Sequence, residues 1–242
     1  MNSSKNVVNN TESSAIDLYL FGPPRVVVAD QLIQFRSRKI LALFIYLAVT
    51  KKSHSRDHLM VLLWPNSDRK RANTSLRNSL SRLEAAFPFT EKVLDLNGKL
   101  VQLNPAQTIR LDLSQIAQAT LPSASNSTLD SVLNTDLDEF LAGFSLADAL
   151  PFDDWVNVQR EYWQQQINLI FERETESRLQ GGQAGLAIKR ITKWITIAPV
   201  NEIAYQQLMK AHTLAGNRVA ALQAFEACQQ MLHRELGVEP LP

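Results

Sequence analysis

The apolar and polar positions divide the chain into a strand-rich start, a run of close-set helices, a hairpin and a long helical remainder. Ile16–Phe21, Arg25–Ala29 and Leu32–Phe35 are separated by Gly22-Pro23-Pro24 and Asp30-Gln31, which predicts a small antiparallel sheet. From Ser37, the positions Ile40, Leu41, Leu43, Phe44, Leu47 and Ala48 predict a first helix. Leu59, Met60, Leu62 and Leu63 predict a second, capped by Ser55 and stopped at Trp64-Pro65. A third covers residues 66–87. There Ala72, Leu76, Leu80, Leu83 and Phe87 recur at spacings of four, four, three and four, and Ser67 or Asp68 can cap the start. Val93–Leu96 and Lys99–Leu103 flank Asn97-Gly98, the dipeptide favoured in type I′ hairpins, and Thr108–Leu111 reads as a further strand.

Beyond Asp112 the pattern is helical. Leu113–Ala119 predicts a short helix, Leu121–Thr128 a loop, Leu129–Phe140 a helix, Gly143–Pro151 a connection, and a long helix runs from about Asp153 through Arg178. Gly182, Ala187, Ile188 and Ile191 then fall 34 residues before Gly216, Ala221, Leu222 and Phe225. That period, opened by a glycine and filled with small and large apolar positions, is the mark of stacked tetratricopeptide helix pairs. The expected architecture is an α+β winged helix-turn-helix domain over residues 15–112, with the hairpin as wing, followed by an all-α tetratricopeptide-like domain over 113–242. Residues 1–14, rich in Asn and Ser, read as a disordered tail.

Charge sharpens this division. The net charge of +1 hides 16 Lys+Arg against 9 Asp+Glu in residues 1–112 and 9 against 15 in residues 113–242, or +7 and −6. Within 36–82 eleven basic residues face two acidic ones, Asp57 and Asp68. A clustered basic patch is the electrostatic footprint of a nucleic-acid binder. Stepping 100° per residue along the third helix from Ala72, the face opposite the apolar stripe carries Lys70, Arg71, Thr74, Asn78, Ser81 and Arg82, with Arg77 on its flank and no acid. Arg, Asn, Ser and Thr can pair with base edges, so Thr74, Arg77, Asn78 and Ser81 are the expected base-reading residues. Arg38, Lys39, Lys52, Lys70, Arg71, Arg82 and Lys99 are the expected phosphate contacts, Arg38 and Lys39 because they open the first helix. A plain solvated amphipathic helix would also carry a charged outer face. The basic turn Lys51-Lys52 before it and the wing after it favour recognition.

Other chemistry finds little purchase. His54 and His58 bracket Asp57, but a zinc helix needs Glu directly after its first His, and no third ligand is evident. Cys228 lies among Ala224, Phe225 and Met231 and reads as a small core residue that excludes an intramolecular disulfide. Asp153-Asp154 reads as a helix cap rather than a carboxylate pair. No nucleophile elbow or dinucleotide fingerprint occurs, no apolar run reaches membrane-span length, and the start lacks a signal peptide's apolar core. The expectation is a cytoplasmic non-enzyme without cofactor or metal.

Leu63-Trp64-Pro65, Ala72-Asn73, Leu76-Arg77 and Leu80-Ser81-Arg82-Leu83 together resemble the OmpR-type winged helix of the Streptomyces antibiotic regulatory protein family. Asp153-Asp154-Trp155-Val156 and Glu235-Leu236-Gly237-Val238-Glu239-Pro240 resemble the two ends of the bacterial transcriptional activator domain that follows it there. The resemblance covers about residues 16–240, with a gap at 122–135. It implies a transcriptional activator that binds repeated promoter sites and contacts RNA polymerase; residues 113–242, acidic and repeating, are expected to supply surfaces for the polymerase or for a second protomer on DNA. Val93-Leu94-Asp95-Leu96 departs from the family by lacking the basic residues often seen at the wing's start, which leaves Lys99 as the wing contact. No Gly-x-x-x-x-Gly-Lys-Ser/Thr of the nucleotide-binding domain found in many relatives occurs. The rival reading is a protein-interaction scaffold or sensor whose winged helix and helical half bind proteins rather than DNA.

Overall fold

A computed structural model describes residues 15–88 and 92–238; residues 1–14, with the expected tail, 89–91 and 239–242, with the closing Glu239-Pro240 of the expected motif, lie outside the described residues. The chain forms two compact units, residues 1–112 together with 143–157, and residues 113–142 together with 158–242.

In the first unit, β1 (Ile16–Tyr19), β2 (Arg25–Val28) and β3 (Gln31–Leu32) precede α1 (Arg38–Thr50), β4 (His54–Ser55), α2 (Arg56–Leu63) and α3 (Arg69–Ala85). The hairpin β5 (Leu94–Asn97) and β6 (Leu100–Leu103) and the strand β7 (Ile109–Leu111) follow. One sheet has the order β3-β2-β1-β7, with β1 antiparallel to β2 and parallel to β7; the other has the order β4-β6-β5. The β2–β3 turn is centred on Ala29-Asp30, both at positive φ (47° and 60°), one residue earlier than the expected Asp30-Gln31. Beyond β7, the Asp112 carboxylate accepts the Leu20 and Phe21 N–H groups at 2.6 and 3.0 Å and fastens the chain back beside β1.

The wing turn also differs from expectation by one residue. Asn97 pairs with Leu100, so the loop is Gly98-Lys99, and only Gly98 has a positive φ (58°). That is the arrangement of a type II′ turn, with glycine first, rather than a type I′ turn over Asn97-Gly98.

Each of the three helices begins on a side-chain cap. Ser37 accepts from the Ile40 N–H, Ser55 from His58 and Asp68 from Arg71. Between them lies a core in which Phe44 packs against Phe35 and Phe87, with ring centroids 6.2 and 5.2 Å away. Residues 143–157 join this unit by burying Phe144, Leu146, Ala149, Phe152 and Val156. Trp155 meets Tyr46 edge-on at 5.0 Å.

The helical remainder comprises α4 (Leu113–Ala119), α5 (Asn126–Leu133), α6 (Leu150–Gln180), α7 (Ala184–Ile197), α8 (Glu202–Leu214) and α9 (Arg218–Leu236). The fold is therefore an α+β winged helix followed by an all-α, tetratricopeptide-like array. Two boundaries move relative to the sequence reading. α5 starts inside the expected loop because the Ser125 hydroxyl caps it through the Thr128 N–H, and it ends at Leu133 instead of running to Phe140. α6 starts at Leu150, with Pro151 in the first turn, where a missing N–H costs nothing. Asp153 is thus inside the helix, and its carboxylate reaches back to the Leu146 N–H at 2.9 Å.

The 34-residue repeat is visible in the backbone. Gly182 and Gly216 both follow helices at positive φ, 70° and 76°. Ile191 is fully buried with Leu179, Ala187 and Ala211, and beside it Trp194 stacks on Phe171 at 5.6 Å while its indole N–H donates to Asn168 Oδ1. The equivalent of Ile191 one period later, Phe225, is 41% exposed. Position in the array, not residue type, thus sets the energetic weight. Ile191→Ala should cost about 2–5 kcal/mol in urea unfolding, as for a buried truncation that leaves a cavity. Phe225→Ala should cost about 1 kcal/mol or less, since much of the ring already meets water.

Candidate nucleic-acid interface

On α3, Ala72, Leu76, Leu80 and Leu83 are buried together with Ser79, and Phe87 continues the stripe just beyond the helix. The apolar stripe turns Thr74, Arg77, Asn78 and Ser81 outward, and all four are exposed. Thr74 Oγ1 donates to the Lys70 carbonyl at 3.0 Å. Lys70, Arg71 and Arg82 are exposed on the same helix. Arg71 is paired with the cap Asp68 at 3.2 Å, though 85% of its side chain remains exposed.

The wing is fastened to the helices at two points, one on α3 and one on α2. Glu84, the penultimate residue of α3, accepts the Val93 N–H with one carboxylate oxygen and the Leu94 N–H with the other, both at 3.0 Å. Arg56, the first residue of α2, donates its backbone N–H to the Lys99 carbonyl at 2.9 Å and its Nε to the Gly98 carbonyl at 3.4 Å. Lys99 is thereby held at the tip, exposed. Between the start of α2, the start of α3 and the wing tip lies a cleft of about 480 Å³ walled by Arg56, Arg69, Lys70, Asn73 and Lys99, with Asp57 at one side. The four cations, Arg56, Arg69, Lys70 and Lys99, make it suited to an anionic oxygen. Arg69 and Asp57 pair at 3.2 Å but stay 84% and 69% exposed, so water screens that pair and it is easily exchanged for another anion.

The remaining expected contacts are placed differently. Lys52 is exposed in the turn after Lys51, whose positive φ of 51° ends α1. Arg38 donates to the Gly143 carbonyl at 3.1 Å and lies 4.7 Å over the Phe144 ring. Lys39 is only 16% exposed at its side chain and pairs with Asp148 at 2.8 Å. Both are held by the 143–157 segment. Sequence reasoning assigned Glu84, Arg56 and Arg69 no role, and Asn73 entered only as part of the Ala72-Asn73 motif. The three side chains other than Glu84 lay within the basic cluster or on the recognition helix, but nothing local marked Glu84.

At the root of the wing, His54 pairs with Val101 in the ladder between β4 and β6, and its Nε2 lies 2.8 Å from Thr50 Oγ1. His58 stacks on it at 5.4 Å, and its Nε2 lies 2.8 Å from the Tyr46 hydroxyl. Burial lowers the His54 pKa from its ordinary value, and the charges of His58 and Lys52 add to the effect. The described residues contain no group of three or more potential metal ligands, and both rings are engaged with hydroxyls. In the helical unit Cys228 is buried with Tyr205, Met231 and Leu232, and burial raises its pKa. No described helix is long and apolar enough to cross a membrane.

Residues 135–242 match the family model described as the bacterial transcriptional activator domain. Among solved structures, Mycobacterium tuberculosis EmbR in complex with a low-affinity phosphopeptide is similar over 95% of this chain, with a TM-score of 0.74 and 20% identity. This chain spans 62% of that chain's length. At that identity the likeness is one of fold. No curated protein sequence matches the chain.

Two measurements probe the wing. Glu84→Ala strands the Val93 and Leu94 N–H groups and should cost about 2 kcal/mol in equilibrium unfolding, with part recovered in Glu84→Gln, which keeps one acceptor. His54 binds its proton less readily folded than unfolded, so its contribution is present above the ordinary pKa of 6.5 and is lost as pH falls through the lower folded value. Stability should therefore decline between pH 7 and pH 5, and the decline should be shallower in His54→Gln; equal slopes would remove His54 as its cause.

Proposed function

We propose that this chain, a winged helix followed by a region that matches the bacterial transcriptional activator domain, is a regulator of the Streptomyces antibiotic regulatory protein type and a sequence-specific activator that binds repeated sites in double-stranded promoter DNA. The observation that carries this reading is the outer face of α3, where Thr74, Arg77, Asn78 and Ser81 stand exposed and free of acids beside a basic cleft. Such a face fits a major groove, where Arg pairs with guanine and Asn with adenine. Lys70, Arg71, Arg82, Lys52 and Lys99, joined by Arg56 and Arg69, supply the phosphate grip. Arg38 and Lys39 take part only if they leave Gly143 and Asp148.

Residues 15–112 carry the DNA contacts in this reading. Residues 113–242, with their net −6 and helical repeats, supply surfaces for RNA polymerase or a second protomer. The protein works in the cytoplasm, where promoter and polymerase are, and as a regulator it is not an enzyme.

A selection from random double-stranded DNA with the whole chain should enrich a tandemly repeated motif. A scaffold that binds only proteins would enrich none. On the enriched site, Arg77→Ala or Asn78→Ala should cost about 1–3 kcal/mol per lost bidentate contact and relax discrimination at one position. Lys99→Ala should weaken all sequences alike and flatten the log K against log salt slope by about 0.9. Wild-type selectivity in both α3 variants would mean that another face reads the DNA. Transcription in vitro with and without RNA polymerase-binding surfaces of α6 to α9 mutated tests the assignment of the second half.

A further inference from the structure

Within the helical unit, α6 is apolar on two opposite sides. Trp163, Ile167, Ile170 and Phe171 are buried on one of them. Val158, Tyr162, Gln165 and Leu169 follow one another at spacings of four, three and four, which sets them in one line along the other side. All four are exposed, the three large apolar ones at 48–60%. A helix that packs on a core with one side ordinarily turns polar residues to water on the other. Over these three turns α6 does not, and its outer line has the spacing of a seam that takes a second helix.

Charge narrows what that helix is. The same line continues as Glu172 and Glu176, and Glu161 borders it. Among the described residues Glu161 and Glu172 have no ion-pair partner, and Glu176 has only Lys210, at 3.7 Å with both side chains about half exposed. The arginines of this stretch are engaged elsewhere. Arg160 donates to the Phe140 and Leu141 carbonyls, and Arg173 to those of Ala119, Thr120 and Leu121. The seam is therefore apolar and bordered by acids that nothing in the unit neutralises.

A matching partner brings an apolar line bordered by cations. DNA is excluded as a polyanion, and residues 113–242 of a second copy would bring the same net −6. The basic half of a second copy turns its cations to DNA in the reading above. We infer that this face of α6 is where the helical unit meets RNA polymerase, and that it takes from the polymerase a basic amphipathic helix whose apolar residues lie along Val158, Tyr162 and Leu169 with Lys or Arg beside Glu161 and Glu172. The inference rests on the reading of the chain as an activator. The seam runs about 16 Å along α6, a contact at the low end of interface size, which suits a partner met only at the promoter.

Binding of the whole chain to RNA polymerase holoenzyme from the bacterium that makes it, measured without DNA, tests this. The wild type should bind, and less tightly as salt rises. Tyr162→Ala with Leu169→Ala should weaken binding about tenfold or more, and Glu161→Lys with Glu172→Lys severalfold, while the unfolding midpoint and the affinity for the selected DNA are kept. If the first double variant does not fold, the second, which removes no ion pair among the described residues, carries the test. No binding by the wild type, binding indifferent to the variants, or a wild-type dimer in sedimentation that the same substitutions dissociate would overturn the inference. A motif enriched from random DNA alongside any of those results would leave the DNA-binding reading standing, so the two fail separately.

Discussion

Burial of the apolar stripe on α3 is the constraint on which the basic unit depends. Leu76 and Leu83 are fully buried, and Ala72, Leu80 and Phe87 nearly so. Each buried leucine contributes about 1.5–3 kcal/mol, whereas the exposed pairs Arg69–Asp57 and Arg71–Asp68 contribute about 0–1 kcal/mol. The stripe therefore fixes the rotation of the helix about its axis, and the charges follow. Thr74, Arg77, Asn78 and Ser81 face outward because the other side of the helix has no alternative. Glu84, near the end of the same helix, carries that orientation into the wing by holding the first residues of β5.

Much of this was legible because it is local. Ser37, Ser55 and Asp68 cap their helices as residue type and position predict, and Gly182 and Gly216 mark the repeat. The wing turn was displaced by one residue because Asn97-Gly98 and Gly98-Lys99 each satisfy a two-residue turn, and only the pairing of Asn97 with Leu100 decides between them. The overlong helix at Leu129–Phe140 has a different cause. Leu129, Val132, Leu133, Leu137 and Phe140 are all buried at helical spacing, yet the backbone leaves the helix after Leu133. Periodicity registers burial, and a loop that tucks Leu137 and Phe140 into the core imitates a helix.

What stayed hidden depends on distant partners. Arg56 acquires its role from Gly98 and Lys99, and the network of Asp130, Glu174, Arg178 and Arg190 is assembled from three helices. Nothing near Glu174 in the sequence separates it from Glu172 or Glu176, which are only partly buried. The difference is one of depth. Glu174, at 2% exposure, is met at Oε1 by Arg178 and Arg190, and both arginines also reach Asp130, so one ion-pair network ties α5, α6 and α7 together.

The attachment of residues 143–157 to the first unit bears on how the protein is made. Phe144, Leu146, Ala149, Phe152, Trp155 and Val156 belong to a core whose other members all precede Asp112. A chain emerging from the ribosome therefore exposes the Tyr46 side of α1 until some thirty further residues, 113–142, have been synthesised. During that interval Arg38 and Lys39 lack Gly143 and Asp148 and stand as unpaired cations at the start of α1. The nascent unit is thus stickier than the finished one, and arrival of the late segment both seals the core and covers most of the Lys39 side chain while pairing its charge with Asp148.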